Sequence, residues 1–212
     1  MEINMEIYSQ NFFSHGIDNF LYVKENFGHC NEILEIGSFE GRSACWMLKN
    51  LLEDTGSLTC IDPFPDRQIR DLSEPFPSRQ LNPFKNISYS IDNKTLDQFN
   101  SNIAHAKKPK QIVNLFQEVS YTALSKLIVD KKQFDFIYID GCHWAQSVLT
   151  DACMCFGLLK PNGFILFDDY LLQNRPNVFN RAKMSIDAFV NIFYPDLEIH
   201  KSGFQVLIQK KV

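Results

Sequence analysis

Long apolar runs are missing from this chain of 212 residues, and no window approaches the ~18 continuous apolar residues that a membrane-spanning helix needs. The N-terminal stretch MEINMEIYSQ also lacks the positive charge and apolar run of a secretory signal. A surplus of positive charge is missing too, because 21 Lys and Arg face 25 Asp and Glu, for a formal net charge of −4. These absences predict a soluble, cytoplasmic protein with no membrane anchor and no broad grip on nucleic acid.

The cysteines lack the CxxC spacing that is typical of zinc and redox sites. They are scattered, mostly within apolar stretches, which predicts reduced and mainly buried thiols. Their positions are Cys30, Cys45, Cys60, Cys142, Cys153 and Cys155. Hydrophobic residues make up 45% of the chain and charged residues 22%, which is ordinary globular usage. We therefore expect a single folded domain over residues 1–212.

Apolar runs of strand length alternate with segments of helical period along most of the chain, the pattern of a mainly parallel sheet with helices on both faces. The last two runs are joined by a short link, which favours an antiparallel hairpin. The predicted fold is α/β, a doubly wound Rossmann-like seven-stranded sheet, mostly parallel with a C-terminal antiparallel hairpin strand. The predicted strands are 32–36, 57–61, 111–116, 134–139, 164–167, 197–200 and 204–208, and the predicted helices are 17–27, 43–52, 93–106, 121–129, 144–159 and 178–193.

Residues 63–90 interrupt this alternation because prolines are too dense there for a helix or a central strand. Long loops in compact domains are usually lids, binding loops or disordered stretches. Aromatic residues within this loop (Phe64, Phe76 and Phe84) favour a lid that covers the substrate and disfavour a disordered linker. Together with an N-terminal helical cap at residues 1–30, this loop is expected to close over the bound molecule.

In open α/β sheets, ligands bind beyond the carboxyl ends of the strands. After the first strand comes Glu35-Ile-Gly37-Ser-Phe-Glu-Gly41, whose glycines allow a sharp turn and close approach to a ligand at a helix N-terminus. Asp62 ends the second strand, where a carboxylate can accept hydrogen bonds from ribose hydroxyls. The pattern indicates an adenosine-containing cofactor; the alternative is a plain strand-to-helix turn with Asp62 as a loop cap.

Two neighbouring strand ends carry acids, namely Asp140 and the pair Asp168 and Asp169. Three converging carboxylates repel one another unless they share protons or a cation, and oxygen ligands suit Mg²⁺, Mn²⁺ or Ca²⁺. The competing interpretation is that Asp140 caps the following helix while the pair ends a strand.

The wider sequence resembles the class I S-adenosylmethionine-dependent methyltransferases, specifically the small-molecule O-methyltransferase branch. Within that branch, the likeness is closest to the group that includes the macrocin and cephalosporin-biosynthesis methyltransferases. The resemblance lies in ILEIGSFEGRS (33–43), TCIDPF (59–64), FNSNI (99–103), FDFIYIDGCHWAQSVLTD (134–151) and LLKPNGFILFDDY (158–170).

The resemblance implies S-adenosyl-L-methionine as cofactor. Glu35 would hold the methionine ammonium group, Gly37 and Ser38 would line the methionine moiety, and Asp62 would bind the ribose. A segment after the third strand would border the adenine, although Glu118-Val119-Ser120 stands where the family usually has a Gly-Asp-Ser-like stretch. The full predicted cofactor set is Glu35, Gly37, Ser38, Gly41, Ser43, Asp62, Glu118, Val119, Ser120 and Asp140.

The resemblance also implies an acceptor end. Asp140, Asp168 and Asp169 match the metal ligands of catechol-type methyltransferases, so Mg²⁺ or another divalent cation is the implied second cofactor. His143 matches a basic residue of these enzymes, and with Asp140 it forms the predicted catalytic set. A histidine with a pKa near neutrality is suited to accept a hydroxyl proton.

The predicted reaction is O-methylation of a hydroxyl on a small molecule such as a sugar, phenol or natural-product metabolite, and a homodimer is compatible with it. DPPY and NPPY, which mark methylation of adenine amines or glutamine amides, are absent. One alternative is a non-catalytic protein that keeps the adenosylmethionine fold. Another is a nicotinamide-dependent oxidoreductase, which is disfavoured because GSFEGR does not supply GxGxxG and Tyr-x-x-x-Lys is absent.

Overall fold

The computed structural model of the protein describes residues 5–64, 92–172 and 181–212. Seven strands form one sheet in the order β3-β2-β1-β4-β5-β7-β6. The strands are β1 (Cys30–Ile36), β2 (Leu52–Ile61), β3 (Ile112–Phe116), β4 (Phe134–Ile139), β5 (Leu159–Phe167), β6 (Leu197–Ser202) and β7 (Val206–Lys210). Strands β1 to β5 pair in parallel, whereas β7 is antiparallel to both β5 and β6. The predicted α/β fold with its antiparallel C-terminal hairpin is confirmed.

The described residues include six α-helices, which cover the two faces of the sheet, since two clusters of buried side chains lie on its opposite sides. Helices α1 to α3 contribute to one cluster, and α4 to α6 contribute to the other. Their bounds are α1 (Ile17–Phe27), α2 (Arg42–Asn50), α3 (Asn93–Ala106), α4 (Ser120–Val129), α5 (Ala145–Leu158) and α6 (Ala182–Phe193). No helix in the described parts of the chain is long and apolar enough to cross a membrane.

The central strand β4 explains why the sheet is covered on both sides. All six residues of its sequence FDFIYI are buried. On one face, the ring of Tyr138 meets Phe20 of α1 at a centroid distance of 4.9 Å. On the other face, Ile137 and Ile139 belong to the cluster of α4, α5 and α6. A strand enclosed on both faces is the expected centre of a doubly wound sheet.

Several element boundaries differ from the sequence prediction. Strand β2 begins at Leu52, five residues before the predicted start, because Leu52 pairs with Cys30 at the beginning of β1. Strand β5 begins at Leu159, five residues before the predicted start, because Leu159 pairs with Phe134 at the beginning of β4. Strand β7 is shifted toward the C-terminus and begins at Val206. The predicted start of the sixth helix, at residue 178, lies outside the described residues.

The predicted lid lies mostly outside the described residues, which stop at 64 and resume at 92. Phe64, predicted to cover substrate, is instead a core residue: it is buried and meets the ring of Phe99 at 5.5 Å. Its position follows from hydrogen bonding, because its N–H donates to Oδ1 of Asp62 at 2.7 Å. The N–H of Asp92 donates to the carbonyl oxygen of Phe64 at 2.8 Å, so the two ends of the gap are neighbours.

The cysteines are all unpaired. Cys30, Cys45, Cys60 and Cys155 are buried, as predicted for most of them, whereas Cys142 and Cys153 are exposed.

Candidate cofactor and acceptor site

The loops that follow β1 and β4 are in direct contact at the carboxyl edge of the sheet. A Cβ atom added to Gly37 would lie 2.0 Å from the carbonyl oxygen of Asp140. Gly37 also has a φ of +88°, a conformation that residues with side chains rarely adopt. Only glycine fits here. Its presence brings residues 37–41, the predicted cofactor loop, against Asp140 at the predicted acceptor end.

Glu35 lies beneath the cofactor loop and is completely buried. Its carboxylate accepts hydrogen bonds from the hydroxyls of Ser38 and Ser43, each at 2.5 Å. Burial raises the pKa of Glu35 to about 7, although hydrogen bonds from Ser38, Ser43 and Cys60 act in the opposite direction. The observed position thus ties together both ends of the loop, and the predicted contact with a methionine ammonium group stays a prediction.

Asp62 joins the end of β2 to the same loop. Its Oδ2 accepts the backbone N–H groups of Ser38 and Phe39, both at 2.9 Å. Oδ1 accepts the N–H of Phe64. A carboxylate offers about four lone-pair sites, so three of them are used by the fold. The sequence pattern found this carboxylate but not its structural work, and ribose binding stays a prediction.

The predicted adenine segment divides between two environments. Glu118 is paired with Lys126, whose Nζ lies 2.6 Å from Oε1. Val119 precedes α4, and Ser120 is the first residue of that helix. Ser120 hydrogen bonds to the buried Asp151, whose pKa is raised to about 7 by burial against that hydrogen bond. The carboxylate of Glu118 is therefore already engaged on the protein surface.

A buried tyrosine that the sequence interpretation did not identify connects the acids at the acceptor end. The hydroxyl of Tyr138 hydrogen bonds to Oδ2 of Asp168 and lies 3.2 Å from Oδ2 of Asp140. Asp168 also accepts from Nε2 of Gln205 at 3.0 Å and from the N–H of Asp169 at 2.7 Å. Tyr138 belongs to the central strand β4, which is buried on both faces, and an aromatic residue in such a strand predicts only core packing.

These acids differ in their affinity for a proton. Burial, followed by the charges of Asp168 and Asp169, raises the pKa of Asp140 well above its usual range. Burial also disfavours ionised Asp168, but hydrogen bonds led by those from His15 and Tyr138 outweigh it and lower the pKa of that carboxyl. The site therefore shifts the pKa values of two neighbouring carboxyls in opposite directions.

His143 lies between Asp140 and Asp169. Its Nδ1 atom is 2.8 Å from Oδ2 of Asp169, and its Nε2 atom is 3.9 Å from Oδ1 of Asp140. Among the described residues, these are the three His, Cys, Asp or Glu side chains whose ligand atoms lie within 4.8 Å of one another. The structure thus brings together two members of the predicted metal set, Asp140 and Asp169, with the predicted base.

The N-terminal segment, residues 5–16 before α1, contacts both the cofactor loop and the acceptor end. The ring of Phe12 lies 5.9 Å from that of Phe39 in the cofactor loop. His15 Nε2 lies 3.5 Å from Oδ1 of Asp168, and its ring packs edge-on against Phe204. The hydrogen bond to Asp168, partly offset by burial, raises the pKa of His15. Nothing in the sequence near His15 indicates this contact with a residue so distant along the chain.

A cavity of about 440 Å³ opens beside the cofactor loop, and Asp140, Asp168 and Asp169 do not line it. It lies between the N-terminal segment, the loop and the start of α3. Its lining residues are Ser9, Gln10, Phe39, Glu40, Asp92, Lys94, Thr95 and Gln98.

Comparison with known proteins agrees with this arrangement of the cofactor loop and strand ends. The family described as methyltransferase domain matches residues 34–170, which include β1, the cofactor loop and the acids after β4 and β5. The chain belongs to the methyltransferase domain family. This methyltransferase domain is 26% identical over 167 residues to uncharacterized protein R132 of Acanthamoeba polyphaga mimivirus. The match covers 76% of this chain and 63% of that relative, so the chain spans less than two thirds of the relative's length.

Solved structures show the same fold. The O-methyltransferase of Bacillus cereus, determined in complex with SAH (S-adenosylhomocysteine), superposes with a TM-score of 0.66 at 18% identity, covering 97% of this chain and 84% of that one. TomG of Streptomyces achromogenes, an O-methyltransferase of tomaymycin synthesis determined with SAM, gives 0.60 at 15% identity, covering 91% and 77%. The methyltransferase domain thus shares the architecture of O-methyltransferases from bacteria.

Proposed function

We propose that this methyltransferase domain transfers the methyl group of S-adenosylmethionine to a hydroxyl group of a small molecule. The observation that carries the proposal is the contact between the loop at Gly37 and the end of β4 at Asp140. This contact brings the predicted cofactor loop beside Asp140, which supports the proposal. Two proteins of the same fold, from B. cereus and S. achromogenes, were determined with SAH and SAM respectively, which supports the choice of cofactor.

The residues of the cofactor loop fit this cofactor. Asp62 supplies a carboxylate beside the loop that precedes α2, and the sulfonium group of the cofactor is positively charged. Asp62 retains about one unused lone-pair site for a ribose hydroxyl. When bound, S-adenosylmethionine supplies an electrophilic methyl group. The task of the chain is to orient the acceptor in line with that methyl group and to exclude water.

The acceptor hydroxyl is proposed to meet His143 in the ion-free protein. The imidazole has Asp169 beside Nδ1, and a carboxylate there stabilises the imidazolium that forms when the hydroxyl gives up its proton. The side chain of His143 is 29% exposed, so an acceptor can reach it. The N-terminal segment, through Phe12 and His15, is proposed to shield the reacting groups from water.

Calorimetry tests the cofactor assignment. The protein is titrated with S-adenosylhomocysteine and, separately, with NAD. We expect the thioether to bind and NAD not to bind. Binding of NAD without the thioether would contradict the proposal and favour an oxidoreductase. Thioether binding without methyl transfer to any acceptor would favour a non-catalytic binding protein.

A methyl-transfer screen tests the reaction and the role of His143. Hydroxylated sugars, phenols and related metabolites are incubated with the protein and radiolabelled S-adenosylmethionine, with and without chelator. In chelator, His143→Ala is expected to lower kcat by ~100-fold or more. The matched control is His105→Ala, which removes an exposed histidine near the end of α3. Equal activity of the two variants would remove the proton-accepting role from His143.

A further inference from the structure

We infer that Asp140, His143 and Asp169 form a binding site for a divalent transition-metal ion, in which the His143 imidazole takes the place that the sequence resemblance gives to Asp168. The inference extends the proposed function without resting on it, because an ion binds whether or not a methyl group is transferred.

The first argument is distance. The ligand atoms of Asp140, His143 and Asp169 lie within 4.8 Å of one another. Two atoms that each lie ~2.1 Å from one ion are at most ~4.2 Å apart, and ~3.0 Å apart when their bonds make a right angle. The 2.8 Å between Nδ1 of His143 and Oδ2 of Asp169 is close to that right-angle value. Small side-chain adjustments therefore suffice to bring all three groups onto one ion.

The second argument is an unsatisfied atom. Nδ1 of His143 is buried and has no hydrogen-bond partner among the described residues. It lies 2.8 Å from a carboxylate oxygen, but without the alignment of a hydrogen bond. When the proton of the neutral imidazole is on Nε2, the Nδ1 lone pair and the carboxylate oxygen repel each other at this distance unless a positive charge lies between them. An ion placed off the line between the two atoms binds both, whereas a proton requires them to be aligned.

The third argument is the fate of Asp168. Its carboxylate accepts from Tyr138, from Gln205 and from the N–H of Asp169, and it faces His15. Gln205 is itself fixed, since Nδ2 of Asn19 donates to its Oε1 at 2.7 Å. Turning Asp168 toward an ion would break its hydrogen bonds from the Tyr138 hydroxyl and from Gln205. Asp168 is thus held in a hydrogen-bonded network and not in the ion site.

The donor set determines which ions are favoured. One imidazole and two carboxylates suit Mn²⁺, Fe²⁺, Co²⁺ and Zn²⁺, whereas Mg²⁺ and Ca²⁺ prefer oxygen ligands alone. The side chains of Asp140, His143 and Asp169 are 26%, 29% and 14% exposed, so an ion reaches them from solvent. An imidazole that binds an ion has no lone pair for a hydroxyl proton, so His143 is the proton acceptor only in the ion-free protein.

Ion binding by the protein alone tests the inference, without S-adenosylmethionine or an acceptor. The metal-stripped full chain is titrated with Co²⁺, followed by visible absorption, and with Mn²⁺ and Mg²⁺ by calorimetry. The Cys142→Ser background is used throughout, because the exposed thiol of Cys142 would otherwise compete for Co²⁺. We expect one Co²⁺ per chain and an affinity for Mg²⁺ that is weaker by at least ~10-fold.

Variants then separate the two ligand sets. His143→Ala is expected to weaken Co²⁺ binding by at least ~10-fold, while Asp168→Asn and the control His105→Ala stay within ~3-fold of the parent. His143→Asp, which creates a third carboxylate, is expected to restore ion binding with a shift toward Mg²⁺. Loss of binding in Asp168→Asn with retention in His143→Ala would overturn the inference, as would the absence of Co²⁺ binding by the parent. Failure of methyl transfer alone would leave it standing.

Discussion

The carbonyl oxygen of Asp140 occupies the space that a side chain at residue 37 would need. The contact holds the carboxyl ends of β1 and β4 together, and it is supported on either side by backbone hydrogen bonds. The N–H of Gly37 donates to Ile61 at 2.9 Å, and the N–H of Asp140 donates to Ile36 at 2.8 Å. The absence of a side chain at residue 37 therefore allows the cofactor loop and the acceptor end to come into contact.

Gly37→Ala is expected to destabilise the protein by ~2 kcal/mol or more and to abolish S-adenosylhomocysteine binding. The substitution adds a Cβ atom 2.0 Å from a backbone oxygen at a φ of +88°, where strain cannot be relieved by a side-chain rotation. Gly157→Ala in α5 is the matched control, because its Cβ atom would meet nothing within 4 Å. The control is expected to gain ~0.5–1 kcal/mol. Urea unfolding measures both, and equal stabilities would refute the argument.

Asp62→Asn is expected to destabilise the cofactor loop. Oδ2 of Asp62 accepts two backbone N–H groups and Oδ1 accepts a third, whereas an amide keeps only one oxygen for them. The loss is ~1–3 kcal/mol in urea unfolding, with weaker S-adenosylhomocysteine binding in calorimetry. Glu118→Gln, which removes an exposed ion pair with Lys126, is expected to change stability by less than ~1 kcal/mol. A larger effect of Glu118→Gln than of Asp62→Asn would be inconsistent with these contacts.

Asp151 is expected to make the protein less stable as the pH rises. Its pKa is about 7 in the folded state, against 3.8 for an ordinary aspartate. Between pH ~4 and ~7 the unfolded chain is ionised while the folded protein keeps the proton, so stability falls with rising pH across this window. The contribution of Asp151 to the free energy of unfolding is fully present below pH ~4 and is lost above pH ~7. The resulting loss of stability is at most about 4 kcal/mol.

Asp151→Asn removes this titrating carboxyl group and is expected to flatten the pH dependence of unfolding between pH ~4 and pH ~7. Glu35 contributes a slope of the same sign, since its pKa is raised from 4.5 to about 7. The slope is therefore reduced by Asp151→Asn and not removed. Asp97→Asn, which removes an exposed carboxylate of α3, controls for the change in net charge. An unchanged slope in Asp151→Asn would show that the group is ionised in the folded protein.

Tyr138→Phe is expected to destabilise the protein by ~1–3 kcal/mol, because the buried carboxylate of Asp168 loses a donor. The same change removes a hydrogen bond that lowers the pKa of Asp168, so that pKa rises. Phe136→Leu supplies a control in the same strand, since it alters packing without changing a hydrogen bond. Carboxyl-selective NMR titration and urea unfolding measure the two effects. A Tyr138→Phe variant with unchanged stability would contradict the hydrogen bond.

Most of the sheet could be predicted from the sequence because its strands are short apolar runs, and burial on both faces makes such runs continuous. Strand β2 is longer than the sequence predicts because its first half contains the polar residues Glu53, Asp54 and Thr55, which interrupt the apolar pattern of a buried strand. Its first half is fixed by pairing of Leu52 with Cys30, and pairing between distant residues leaves no local pattern.

The candidate site was predictable where its residues directly follow predicted strands. Gly37, Asp62 and Asp140 each stand at a strand end, and parallel strands bring such ends to one edge. His15 and Gln205 could not be found in this way, since they reach Asp168 from the N-terminal segment and from the terminal hairpin. Tyr138 was hidden by its strand, where an aromatic ring that packs in the core also places a hydroxyl between two acids.

Phe64 and Asp92, the residues on either side of segment 65–91, are joined by a backbone hydrogen bond. The entropy of closing a loop between two adjacent points varies only slowly with the number of residues, so the sheet is expected to tolerate changes in the length of the sequence between Phe64 and Asp92.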